Sequence, residues 1–331
     1  MPVMLTGLIV GYAAVSYAVG VDRISRSNPT LERLVPPPLR YQADRSAAAI
    51  ALASGQPALA LQYASKAVRS DPGSAEALAL LGSARLAAGD TTGADATFRV
   101  AAQRGWRNPM TQLYWFEMAM NAGDIRLAAL RADALLRTAP SLAVSGEILA
   151  PLEATEDGRA AIAQRLAERP VWLSAYFRTH WQMEPSTLLT KSDVATRLAN
   201  LGVRDCELLY GLTARMLSKG MQREAVSLWR SSCNARFEKG LSDGNFTDLA
   251  NEDRRSPFGW QRHLSGDVEV SLTDGGANGG SMVLAQNSSP ATKLILSQAI
   301  DVEPGTYLVT ARVLKDGAPA AGTVSVSLDC D

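Results

Sequence analysis

Two histidines, three cysteines and a few acidic pairs are the residues of this chain best suited to chemistry. They do not fall into a catalytic spacing. His180 lies in Phe177-Arg178-Thr179-His180-Trp181, and His263 is far downstream. No HExxH, CxxC or other metal-spaced cluster occurs, which removes the common zinc arrangements. No GxSxG elbow and no Walker-type loop occurs either. The glycine-rich run at 275–280 joins two strand-like segments and precedes no helix, so it reads as a turn rather than a phosphate cradle. Glu156-Asp157 and Glu252-Asp253 read as solvated loop acids, and His180 as a surface or packing residue. Asn245-Phe246-Thr247 and Asn287-Ser288-Ser289 match glycosylation acceptors. The expectation is a non-enzymatic chain with no catalytic residue, metal ligand or cofactor.

The elements that would carry these residues repeat. Gly55, Gly89 and Gly123 are 34 residues apart, as are Ala60, Ala94 and Ala128. Ala64, Phe98 and Ala132 form a further column, and Ala67, Ala101 and Leu135 another. Pro72 opens a last column and Pro140 closes it, with Trp106 standing where the middle proline would be. A fixed period of this length marks stacked helix–turn–helix units. Each glycine suits the left-handed residue after a helix, and Asp90 and Asp124 follow directly as caps for the next. The alanine columns let two helices approach closely, on one face at i, i+4 and i+7. Pro72 and Pro140 then stop the second helix.

These residues resemble the tetratricopeptide repeat, most clearly in Leu81-Gly82, Gly89-Asp90, Ala94, Phe98 and Ala101. The first unit has Ala48 at the position of Gly82, and the third has Trp115-Phe116 at the Leu-Gly position. The pattern degrades near Glu156-Asp157-Gly158 and returns once at Gly220, Ala225 and Trp229. The resemblance implies an α-solenoid of four to five hairpins over 41–236, irregular around 170–200, that binds a protein partner in its groove.

In the last hairpin Cys206 would begin one helix and Cys233 would end its antiparallel mate. Those ends are neighbours, so a disulfide is geometrically reasonable and would imply an oxidising compartment. Two reduced buried cysteines are the alternative. Cys330 has no evident partner.

After Gly240 the apolar period becomes two. Alternating segments at 267–272, 281–284, 293–300, 306–313 and 323–328 are separated by glycine, asparagine and proline clusters. That spacing predicts an antiparallel β-sandwich. Asn245-Phe246, Pro257-Phe258-Gly259-Trp260 and Pro304-Gly305-Thr306-Tyr307 resemble carbohydrate-binding-module-like jelly rolls. The resemblance implies core packing for Phe258 and Trp260, with glycan contact at Trp260 as the alternative. Tyr307 is expected on one strand face with Val309, Ala311 and Val313.

The first 21 residues carry no charge, and 3–21 is apolar enough for a membrane span. A cleaved signal peptide and a buried first helix are the alternatives. Arg23, Arg26, Arg33, Arg40 and Arg45 follow the segment and by the positive-inside rule would hold the chain in the cytoplasm. The cysteines and the β-region oppose that and favour the outside. Pro36-Pro37-Pro38 reads as a stiff spacer. The 331 residues carry 33 basic and 33 acidic side chains with no basic run, which excludes a nucleic-acid track.

The resulting expectation is multidomain α plus β: a transmembrane anchor at 1–22, a Pro-rich linker at 23–40, a tetratricopeptide-like solenoid at 41–240 and a jelly-roll-like β-sandwich at 241–331. The order of these parts resembles accessory proteins of bacterial surface-polysaccharide assembly. The resemblance implies a single-pass inner-membrane scaffold, largely periplasmic, with a protein partner. A glycan-binding protein whose β-domain carries the function, taking a polysaccharide, is the alternative.

Overall fold

The structure is a computed structural model, and it describes residues 2–25, 31, 34–233, 240–249, 251, 256–275, 281–312 and 325–328. The chain divides into two compact units, Met1–Tyr176 and Phe177–Asp331.

The first unit is helical. It holds α1 (Pro2–Ser25), α2 (Tyr41–Ala53), α3 (Pro57–Ser70), α4 (Ala75–Ala87), α5 (Thr91–Gln103), α6 (Pro109–Asn121) and α7 (Ile125–Thr138). Short helices α8 (Leu142–Ser145) and α9 (Ala150–Glu153) follow, then α10 (Glu156–Ala167) and α11 (Leu173–Phe177), which reaches the unit boundary. Helices α2–α3, α4–α5 and α6–α7 are three hairpins built alike. Gly55, Gly89 and Gly123 have φ of 66°, 84° and 72°, a region that costs other residues about 1–2 kcal/mol. In each, the residue after the glycine donates its N–H back across the turn: Gln56 to Ala51, Asp90 to Arg85 and Asp124 to Ala119, at 2.8–2.9 Å. That bond satisfies one of the carbonyls the ending helix leaves free. Asp90 and Asp124 then accept from the N–H groups of Gly93 and Leu127 and so start α5 and α7.

The inner columns are buried: Ala60, Ala94 and Ala128, then Ala64, Phe98 and Ala132, then Ala67, Ala101 and Leu135. Gly82 is on α4 because a Cβ there would sit 2.8 Å from the Phe98 ring. Pro72 and Pro140 each follow the capping residue of a helix. Beyond α7 the repeat is interrupted, and its turn recurs at Gly220 (φ 73°), with Ala225 and Trp229 buried. Trp172 is fully buried, donates its indole N–H to Asp133 Oδ1 at 2.8 Å and meets the Tyr176 ring edge-on at 6.2 Å.

The N-terminus corrects the sequence reading. Among the described residues no helix is long and apolar enough to cross a membrane. The single-pass anchor therefore falls, and the inner-membrane, periplasmic placement built on it falls too. The end of α1 is a packed part of the helix stack: Ala18, Val21, Asp22 and Ser25 are buried. Asp22 accepts from the backbone N–H groups of Gln42 and Ala43 at 2.8 and 3.0 Å. These are first-turn donors of α2, whose preceding residue Arg40 supplies no side-chain cap. The prolines are not an extended spacer either. Pro37–Leu39 is a 3₁₀ turn and the neighbouring Val35 is buried.

The second unit contains α12 (Pro185–Asn200), α13 (Cys206–Ser218) and α14 (Gln222–Cys233). The stretch expected to be irregular thus includes a regular sixteen-residue helix, α12. Strands β1 (Gln261–Arg262), β2 (Val268–Asp274), β3 (Ser281–Asn287) and β4 (Leu296–Ser297) follow. Strand β2 pairs antiparallel with β3, with Val268 opposite Asn287 and Asp274 opposite Ser281. Strand β1 pairs antiparallel with β4.

These are two separate two-stranded sheets, and among the described residues the expected β-sandwich, jelly roll included, is not present. The physical reason is burial. A sandwich needs two inward apolar faces, and here Val268 and Val270 are the buried strand residues among those described. Residues 306–312 and 325–328 form no strand, and Leu308 is 90 % exposed. Tyr307 shares no buried face with Val309 or Ala311; its hydroxyl donates to the carbonyl of Glu303. Val313, residues 323–324 and Cys330 lie outside the described residues.

Candidate functional site: an arginine between two tryptophans

The loop from α5 to α6 is where the repeat loses its proline. Asn108 caps α6 by accepting from Thr111 N–H at 2.9 Å, and Gly105 turns the chain with φ 142°. Between them Trp106 is left 49 % exposed. Its ring does not float free. The Arg131 guanidinium, carried by α7, lies 3.9 Å from the Trp106 ring centroid and 6.0 Å from that of Trp115 on α6. Such cation–aromatic contacts contribute about 0.5–2 kcal/mol.

Aromatic packing holds this position. Phe98 and Tyr114 stack with centroids 4.1 Å apart, and Trp115 meets Tyr114 edge-on at 5.4 Å. The Trp115 indole N–H points at the carbonyl of Phe98 at 3.4 Å. The Arg99 guanidinium also lies over Trp115, 5.8 Å from its centroid. Arg99 also donates to Asp95 Oδ2 at 2.7 Å, and the Tyr114 hydroxyl donates to Asp95 Oδ1 at 3.1 Å. The Arg99 hydrogen bond holds the Asp95 carboxyl below its ordinary range, and the same bond raises Arg99. Burial, then Asp95, pushes the Tyr114 hydroxyl upward.

Below Arg131 is Gln112, 1 % exposed. Its Oε1 accepts from Arg131 Nη1 at 3.1 Å. Two further donors of these side chains, Arg131 Nε and Gln112 Nε2, are buried and have no hydrogen-bond partner. Each such orphan costs about 1–3 kcal/mol. Burial also lowers the Arg131 pKa, since a guanidinium out of water is less well solvated.

The residues singled out in the sequence lie elsewhere. Cys206 and Cys233 are joined as a disulfide with Cα atoms 5.6 Å apart, where α13 begins and α14 ends. Trp260 is half-buried, donates its indole N–H to the Asp243 carbonyl at 3.0 Å, and packs against Phe246 at 5.5 Å. Phe258 is buried 6.4 Å from the ring of Trp229. His180 is exposed, and His263 Nε2 meets Ser297 Oγ at 2.7 Å. Glu156 and Asp157 are not loop acids; they form the first turn of α10, where negative charge suits the helix end. Glu252 and Asp253 lie outside the described residues, as does most of the glycine run, whose Gly275 follows β2. Among the described residues no group of three His, Cys, Asp or Glu side chains is placed to hold a metal ion. A cleft of about 190 Å³ opens beside α2 and α3, lined in part by Ala43, Ile50, Leu59 and Tyr63, with no charged side chain.

Sequence reasoning missed Gln112 and Arg131. One signal was available: Gln112 falls in the column of buried Asp44 and Leu78, and Trp106 fills the proline slot of the preceding unit. No protein-family model matches the chain, and no curated protein matches it.

Proposed function

We propose that the chain is a non-enzymatic scaffold of the tetratricopeptide type, holding a protein partner on the hairpins α2–α7. The observation that carries this reading is the half-exposed Trp106 clamped on Arg131, in a stack whose inner columns are mostly alanine. Tryptophan, tyrosine and arginine are the side chains that dominate protein interfaces. Leu113 and Met118, on the adjoining α6, are also exposed apolar side chains. The repeated turns give the surface a rigid base, which limits the ordering cost on binding. No observation favours glycan recognition by the β-region, because the Trp260 indole is engaged by Asp243 and Phe246.

The test is a photo-crosslinker placed at Leu113 of the full chain in its native cells, with a second at exposed Arg178 as control. A defined partner captured from Leu113 but not from Arg178 is expected. Equal capture from both positions, or none from Leu113, overturns the assignment.

A further inference from the structure

We propose that Gln112 and Arg131, whose guanidinium lies against the Trp106 indole, form a carboxylate-binding site for an acidic side chain of a protein partner. The inference rests on the scaffold reading above and deepens it.

Three observations converge. First, both vacant groups are donors, Arg131 Nε–H and Gln112 Nε2–H, and they belong to two side chains already joined by a hydrogen bond. A carboxylate has two acceptor oxygens and no donor, so it complements such a pair. Second, Arg131 forms no ion pair among the described residues. Arg99 pairs with Asp95, Arg137 with Asp133 and Arg85 with Asp90, while Arg104, Arg107 and Arg126 are exposed to water. A partly desolvated guanidinium without an anion is the exception on these hairpins. Third, the group covering it is a half-exposed indole on a short loop that starts at a positive-φ glycine. An indole face attracts the cation but cannot accept from the in-plane N–H. A carboxylate can, once the ring swings aside. The alternative is that the ring is a permanent cover and the two donors are an unrelieved structural cost.

The experiment titrates the full chain with hexaglutamate by calorimetry and tryptophan fluorescence, with hexalysine and free glutarate as controls at matched ionic strength. Hexaglutamate is expected to bind and change the emission of the parent, and the emission change is expected to vanish in Trp106→Phe. Arg131→Lys keeps the charge but loses the planar fork, so affinity should fall by about tenfold. Gln112→Leu should weaken binding severalfold, and a thermal melt checks that the variant is folded, since the change removes an unpaired amide but also the acceptor of Arg131 Nη1. Unchanged binding in Arg131→Lys means bulk electrostatics and overturns the site. So does unchanged binding in Gln112→Leu, which does not depend on whether the lysine variant folds. Glutarate binding as tightly as hexaglutamate overturns the peptide as occupant. A parent that ignores hexaglutamate yet crosslinks a partner through Leu113 sinks this inference and leaves the scaffold. Binding of hexaglutamate without capture at Leu113 keeps the site and removes the scaffold.

Discussion

Gly82 shows how tightly the hairpins close. Its missing Cβ is the space occupied by the Phe98 ring, which in turn stacks on Tyr114. Gly82→Leu should therefore cost about 1–3 kcal/mol through overpacking, even though leucine favours helix. Urea denaturation checks this, and an unshifted midpoint would mean the α4–α5 contact is looser than described. Tyr114 provides a spectroscopic handle on the same cluster. Its hydroxyl pKa is raised by burial and by Asp95. The folded state then holds that proton more tightly than the unfolded chain does. The linked stability is present below the ordinary tyrosine value of about 10 and is lost as pH rises through the folded value. Ultraviolet titration, parent minus Tyr114→Phe, should show one tyrosine ionising later than the exposed ones. These residues were only partly legible. Gly82 and Phe98 declare themselves because their columns recur every 34 residues. Gln112 and Arg131 do not, because one unit alone carries them and their meaning depends on each other.

At the scale of the element, legibility follows local signals. Hairpins α2–α7 could be placed from glycine, aspartate and alanine alone, since turn, cap and close approach each demand a particular residue type. Asp124→Ala should cost about 0.5–2 kcal/mol by leaving the Leu127 N–H without its acceptor. Thermal melts should show that loss, and Asp124→Ser should recover most of it. The region from α8 to α11 was not legible, because its order comes from long-range bonds, Trp172 to Asp133, Tyr176 to Glu153 and Arg137 to Glu168, rather than from a period. Helix α12 was missed for a related reason: it matches no column of the repeat. The β-region misled in the opposite way. Alternation along the sequence was real, yet alternation makes a sandwich only when a second apolar face arrives. Here Leu284, Leu294 and Leu308 remain exposed.

For the whole molecule, the useful fact is that the chain is two units with different means of support. The first relies on packed hairpins. The second has the Cys206–Cys233 bond, which closes a loop with a sequence separation of 27 residues. The chain-entropy account gives such a loop about 3–4 kcal/mol. Calorimetry with and without reductant should therefore lower one transition and leave the other in place. A Cys206→Ser/Cys233→Ser chain should behave like the reduced parent. If both transitions move together, the units do not unfold independently. This pairing was readable from sequence because a helix start and the end of its antiparallel mate are neighbours. The two-unit boundary at 176–177 was not, since no proline or glycine linker marks it.

Asp22 has a practical side for anyone cutting this protein into pieces. Sequence alone invites a cut at Tyr41, where the first clear helix of the hairpins begins. That cut would strip the Gln42 and Ala43 amides of their acceptor and uncover the surface that Val21 and Val35 shield. A fragment starting near residue 17 keeps the plug; one starting at 41 should show fraying of its first helix in amide exchange. The boundary of the folded body lies inside what looks, letter by letter, like something meant to be elsewhere.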